Sequence, residues 1–128
     1  MVNLDKMFAF YNKVLFDNEL YPIPVRFVVN LDCASTCACE FVYRKKHPQL
    51  KLLRDYHLPH TMAIYISSKY KDDDRKVRGI LIHEMTRAWF FSYDIPYMGY
   101  GKRFRKKIRK LSAKAGVKVP YRYASELA

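Results

Sequence analysis

Two prolines set two residues apart constrain this chain most. In Tyr21-Pro22-Ile23-Pro24 each proline pushes the residue before it toward extended geometry, and neither can sit inside a helix. The helical periodicity upstream must stop there. Upstream, Leu4, Met7, Phe8, Tyr11, Val14 and Leu15 share one helical face, Asn3 is placed to cap it, and the end falls near Phe16-Asp17-Asn18. Downstream, residues 25–29 are β-branched and aromatic and read as a strand.

The remaining punctuation extends this pattern. Residues 36–43 read as a second strand with Cys37, Cys39 and Phe41 on one face, broken by Arg44-Lys45-Lys46-His47-Pro48. Residues 49–60 read as a short helix or a loop, and residues 61–67 as a third strand. Asp72-Asp73-Asp74 suits a helix N-terminus, where carboxylates cap free amides and favour the positive end of the dipole. The helix that follows has Val77, Ile80, Leu81, Met85, Ala88 and Trp89 on its apolar side and should stop near Asp94-Ile95-Pro96. Tyr97-Met98-Gly99-Tyr100-Gly101 reads as a loop. A last helix over residues 102–115 repeats Phe104, Ile108, Leu111 and Ala115 at helical spacing, with Gly116 as its C-cap. The expected fold is α+β, a small antiparallel or mixed three-stranded sheet packed against helices. The expected organisation is one domain over residues 1–116, with a tail over 117–128.

A chain of 128 residues is long enough for one such domain, burying about two-thirds of its unfolded surface. Three cysteines, Cys33, Cys37 and Cys39, are an odd number within one short stretch, and the chain opens on an amphipathic pattern. The expectation is a reducing intracellular compartment, cytoplasm or nucleoid or nucleus, and not a disulfide scaffold. No apolar run approaches the ~20 residues that cross a bilayer, so no membrane role is expected.

Charge narrows the partner. Lys and Arg total 24 against 12 acids, a net of +12. From residue 101 to 128 there are 10 basic residues and 1 acidic, a net of +9, leaving +3 for the first hundred. Lys102, Arg103, Arg105, Lys106, Lys107, Arg109, Lys110 and Lys114 crowd the last helix, followed by Lys118 and Arg122. So concentrated a cationic surface points to nucleic acid, most simply DNA, or to a nucleoprotein complex. Tyr97, Tyr100, Tyr121 and Tyr123 are available to stack on exposed bases. A merely solvated cationic face and an acidic protein partner are the alternatives.

The fourth element contains His83-Glu84-Met85-Thr86-Arg87. A zinc-peptidase helix needs His-Glu-x-x-His: two imidazoles one turn apart reach one metal, and the glutamate activates the bound water. Here the first histidine and the glutamate stand, and the second ligand position holds Arg87. A guanidinium stays protonated and has no lone pair for a cation.

Four segments together resemble the SprT-like domain, the catalytic domain of the Spartan family. They are Phe10-Tyr11-Asn12-Lys13-Val14-Leu15-Phe16-Asp17-Asn18-Glu19-Leu20-Tyr21-Pro22, Ile64-Tyr65-Ile66-Ser67, Ile80-Leu81-Ile82-His83-Glu84-Met85-Thr86-Arg87-Ala88, and Gly99-Tyr100-Gly101-Lys102-Arg103-Phe104. The resemblance runs over residues 4–111. It implies a zincin-like SprT core and a zinc-dependent peptidase acting on DNA-bound proteins, with His83 as first metal ligand and Glu84 as catalytic base. Arg87 stands where that family has its second ligand and Tyr100 where it has its third. The site is therefore expected to be degenerate, with no cofactor, zinc being the alternative. Arg87 is expected to supply the positive charge and to bond Glu84, with the Tyr100 hydroxyl completing the network. The expected function is a pseudo-metallopeptidase that binds nucleic acid through the basic helix.

Two alternatives stay open. One is a working peptidase in which His83 and Glu84 borrow a ligand from His47, His57, His60 or the cysteines. The histidines read equally well as loop residues, and the cysteines as small buried hydrophobes. The other is an interaction module that holds an acidic protein.

Overall fold

The first helix shows how locally this chain is specified. The Oδ1 of Asn3 accepts the Lys6 amide at 3.0 Å, satisfying one of the free donors at the helix start. Helix α1 (Leu4–Phe16) follows, and it buries Leu4, Met7, Phe8, Tyr11, Leu15 and Phe16. It ends on Asp17 and Asn18, both left-handed at φ 51° and 60°, a conformation that Asn and Asp tolerate better than most residues. Asn12 then clamps the turn. Its Nδ2 donates to the Leu20 carbonyl at 2.7 Å, and its Oδ1 accepts the Leu20 amide at 3.1 Å. That pair of bonds settles a buried amide group where the chain leaves the helix for the prolines.

The structure, a computed structural model, describes residues 3–20, 22–29, 35–39, 62–92 and 101–120. Within them the fold is mixed α+β. Strands β1 (Val25–Val28), β2 (Ser35–Cys39) and β3 (Met62–Ser67) form one sheet in the order β1-β3-β2. β1 runs parallel to β3, with Val25 opposite Ile64 and Phe27 opposite Ile66. β2 runs antiparallel to β3, with Cys37 opposite Ile64 and Cys39 opposite Met62. The sheet is thus mixed, with β3 at its centre. Ile64 and Ile66 are fully buried while Ala63 and Tyr65 are half-buried, the alternation expected of a strand with one face on the core. The first strand is one residue shorter than residues 25–29, because Val29 turns outward and is exposed. The continuation of the second strand beyond Cys39, and the elements expected over 40–61 and 93–100, lie outside the described residues.

A 3-10 turn (Ser68–Tyr70) leads to helix α2 (Asp74–Ser92). Asp73 caps it by accepting the Lys76 amide at 3.2 Å. The Arg78 guanidinium donates to Asp74 at 2.6 Å and to the Tyr11 hydroxyl at 3.1 Å, tying α2 to α1. Helix α2 touches β2, β3, α1 and helix α3 (Lys102–Ala115), so it is enclosed on several sides. All of residues 79–86 are buried, not a single stripe, and Ile82, His83, Glu84 and Thr86 join the expected Ile80, Leu81 and Met85 inside. Trp89, expected in the core, is instead half-buried at its edge.

Helix α3 closes the core with Phe104, Ile108 and Leu111, each worth about 1.5–3 kcal/mol in buried apolar surface. Gly116 ends it at φ 72°, where a side chain would be strained. The chain does not leave the body at 116. Val117 is half-buried, and Val119 and Pro120 are buried, so the core continues through residue 120. Among the described residues no helix is long and apolar enough to cross a membrane.

Candidate functional site

The His-Glu motif sits at the midpoint of α2, in its fully enclosed stretch. Side chains four apart on a helix lie one turn apart on the same face, which brings Arg87 above His83. Glu84 is 1% exposed, and a carboxylate taken that far out of water needs a cation or donors. Arg87 meets that need: its Nη1 donates to Glu84 Oε1 at 3.1 Å. The arginine side chain stays 18% exposed, so the pair runs from the interior toward the surface.

His83 is held by two elements that the motif itself does not include. Its Nδ1 lies 2.8 Å from the carbonyl oxygen of Pro120, so this nitrogen has the proton and donates it. In the neutral ring Nε2 is then the lone-pair atom. Phe104 of α3 meets the imidazole edge to face, with centroids 5.4 Å apart at 75°. Thr86 spends its hydroxyl on the helix, donating to the Ile82 carbonyl at 2.7 Å. A backbone carbonyl at 120 leaves no trace in sequence patterning, so the role of Pro120 is invisible there. Phe104 was legible as a member of an apolar stripe and as the end of the segment over residues 99–104, but its contact with His83 was not.

Among the described residues, the motif helix does not present a zinc donor set. A catalytic zinc takes three protein ligands plus water in tetrahedral geometry. On the motif helix the second position presents a protonated guanidinium, and the carboxylate that would activate the water is already in an ion pair. Among the described residues no group of three or more His, Cys, Asp or Glu side chains converges on one point. Cys37 and Cys39 occupy alternate positions of β2, opposite Ile64 and Met62. Tyr100, Cys33, His47, His57 and His60 lie outside the described residues.

The basic residues of α3 divide into two groups. Lys102, Arg103, Arg105, Lys106, Arg109, Lys110 and Lys114 are exposed and span about 180° of the helix circumference at 100° per residue. Lys107 is different. Its Nζ sits 3.8 Å from the centre of the Trp89 ring and 5.6 Å from that of Phe16, so it serves the body as a cation over aromatic faces. Burial lowers the Lys107 pKa below the usual lysine value, and Lys110 adds to that, while Glu19 and Asp17 oppose it.

The helix has no acid to balance its charge. Lys102–Lys106, Arg103–Lys107, Arg105–Arg109, Lys106–Lys110 and Lys110–Lys114 are all like-charge pairs one turn apart, each costing about 0.2–0.5 kcal/mol. Lys102 and Arg103 also face the positive end of the helix dipole. What holds α3 in place is its apolar seam on α2 and α1. The charge pattern by itself opposes the helix.

No protein-family model matches this sequence, and no characterised protein matches it closely enough to assign it a relative.

Proposed function

We propose that this protein is a SprT-like pseudopeptidase that grips nucleic acid, DNA first among them, through the outer face of α3. The observation behind the reading is that face: seven exposed cations, no acid, and a buried seam beneath. Each phosphate neutralised by such a cation releases condensed counterions, and this entropy drives binding without reading base sequence. A zincin-like core and the loss of cutting belong to the same reading. Their support is the motif helix, in which Arg87 bonds the glutamate that a peptidase would use as base. That bond weighs against the alternative of a working peptidase with borrowed ligands, because Glu84 is committed to a guanidinium.

The test is titration with single- and double-stranded DNA at two salt concentrations. With about four phosphate contacts on a single strand, a fourfold rise in salt should weaken binding roughly 50-fold. Charge reversal at Arg103, Lys106 and Lys110 should weaken it further and flatten the salt dependence. No binding at low salt, or binding indifferent to salt, would refute the reading.

A further inference from the structure

Beside the cationic face, α3 and the segment after it enclose a groove of about 340 Å³. Its lining is mainly apolar: Ala113 of the helix is exposed to it, and Val119 and Pro120 of the returning chain show only their edges over a fully buried Ile108. Arg109 and Lys118 stand at its edges, both exposed. The groove is preformed: Ser112 Oγ donates to the Val117 carbonyl at 2.6 Å, and Pro120 is anchored from behind by His83. Residues 117–120 are thus fixed at both ends of the groove, and a ligand would not have to order them.

We infer that this groove holds one unstacked nucleotide, its base against Ala113 and the edges of Val119 and Pro120, and its phosphates on Arg109 and Lys118. The inference rests on the nucleic-acid reading above and adds a preference to it. Size and chemistry select the occupant. A volume of 340 Å³ lies at the small end of ligand sites and suits one planar ring with its sugar. Two flanking cations beside a mainly apolar lining match a flat body bearing anionic groups. In a duplex the bases are paired and stacked, so only a single strand or a flipped base can enter. The rest of the α3 face is neutral to this distinction, since it meets phosphates alone.

The experiment compares a short oligothymidylate, a hairpin duplex and oligoglutamate by fluorescence anisotropy on the full chain. Ala113 lines the groove and is exposed on the helix, so Ala113→Leu narrows the groove while keeping a good helix former. Circular dichroism and the Tm of each variant confirm folding. Ala113→Leu should weaken oligothymidylate about tenfold, the scale of one stacked base, and leave the duplex unchanged. Arg109→Gln with Lys118→Gln should lower the single-strand salt slope by about 1.4, two phosphate contacts' worth. If Ala113→Leu binds both nucleic acids as the unaltered protein does, the groove proposal falls and the α3 reading stands. If the unaltered protein binds neither at low salt, both fall. If oligoglutamate binds and Ala113→Leu abolishes that binding, the occupant is an acidic peptide and the nucleotide is overturned.

Discussion

At the scale of single residues, Glu84 and Arg87 are unequal partners. Glu84 is 1% exposed and has nowhere to find water, whereas Arg87 retains an outlet at 18%. Removing each should therefore cost differently. Arg87→Met removes the guanidinium that neutralises a buried carboxylate and should destabilise the fold by about 2–4 kcal/mol, read by urea unfolding. Glu84→Gln leaves a cation that can turn outward and should cost clearly less. Adding Glu84→Gln to Arg87→Met should recover much of the loss, because no charge is then left buried. Equal costs for the two single changes would contradict the pair as described. Lys107 offers a second check through pH. Burial holds its pKa below the ordinary 10.5, so the folded protein gives up this proton before the unfolded chain does. Between the lowered value and 10.5 the unfolded state binds more protons, and stability from this residue rises with pH across that interval. Titration of the Lys107 Nζ by NMR should show a midpoint below 10.5, and Lys107→Met should remove the rise. A midpoint at or above that value would remove the burial account.

Among elements, α3 makes the most exposed commitment. Its five like-charge pairs are held together by an apolar seam, so screening should help the free protein even as it weakens phosphate binding. Raising salt to about 0.5 M, where the Debye length falls to a few Å, should raise Tm by a few degrees. A fall in Tm would mean that the exposed cations are balanced elsewhere. This helix was legible in the sequence from Lys102 to its Gly116 cap, because a 3.6-residue period and a left-handed cap are local signals. The same holds for α1, whose Asn3 cap and Asp17 end follow from adjacent residues. Helix α2 was harder. Val77, Ile80, Leu81, Met85 and Ala88 mark one face correctly, yet the sheet, α1 and α3 cover the others too. Polar side chains such as His83, Glu84 and Thr86 give no apolar signal, and the enclosure that buries them is set by tertiary packing. The central place of β3 was equally hidden, since pairing between distant strands leaves no local pattern. The bond from Arg87 to Glu84 was foreseeable from three-residue spacing, whereas the Pro120 carbonyl on His83 was not.

For the whole molecule, the motif helix and the basic helix share one wall. Phe104, from the seam of the cationic helix, lies against His83 of the motif helix, and residues 117–120 touch both the groove and the histidine. The motif helix is thereby packed against the helix that carries the exposed cations. The central claim is that the Arg87 guanidinium supplies the positive charge beside Glu84 that a metal ion would otherwise supply, so that the centre is an ion pair. Zinc stoichiometry tests this most directly: elemental analysis after purification without chelators and dialysis against micromolar zinc. The account predicts well under one equivalent per chain, unchanged by His83→Ala. One equivalent of tightly held zinc that disappears in His83→Ala would contradict it.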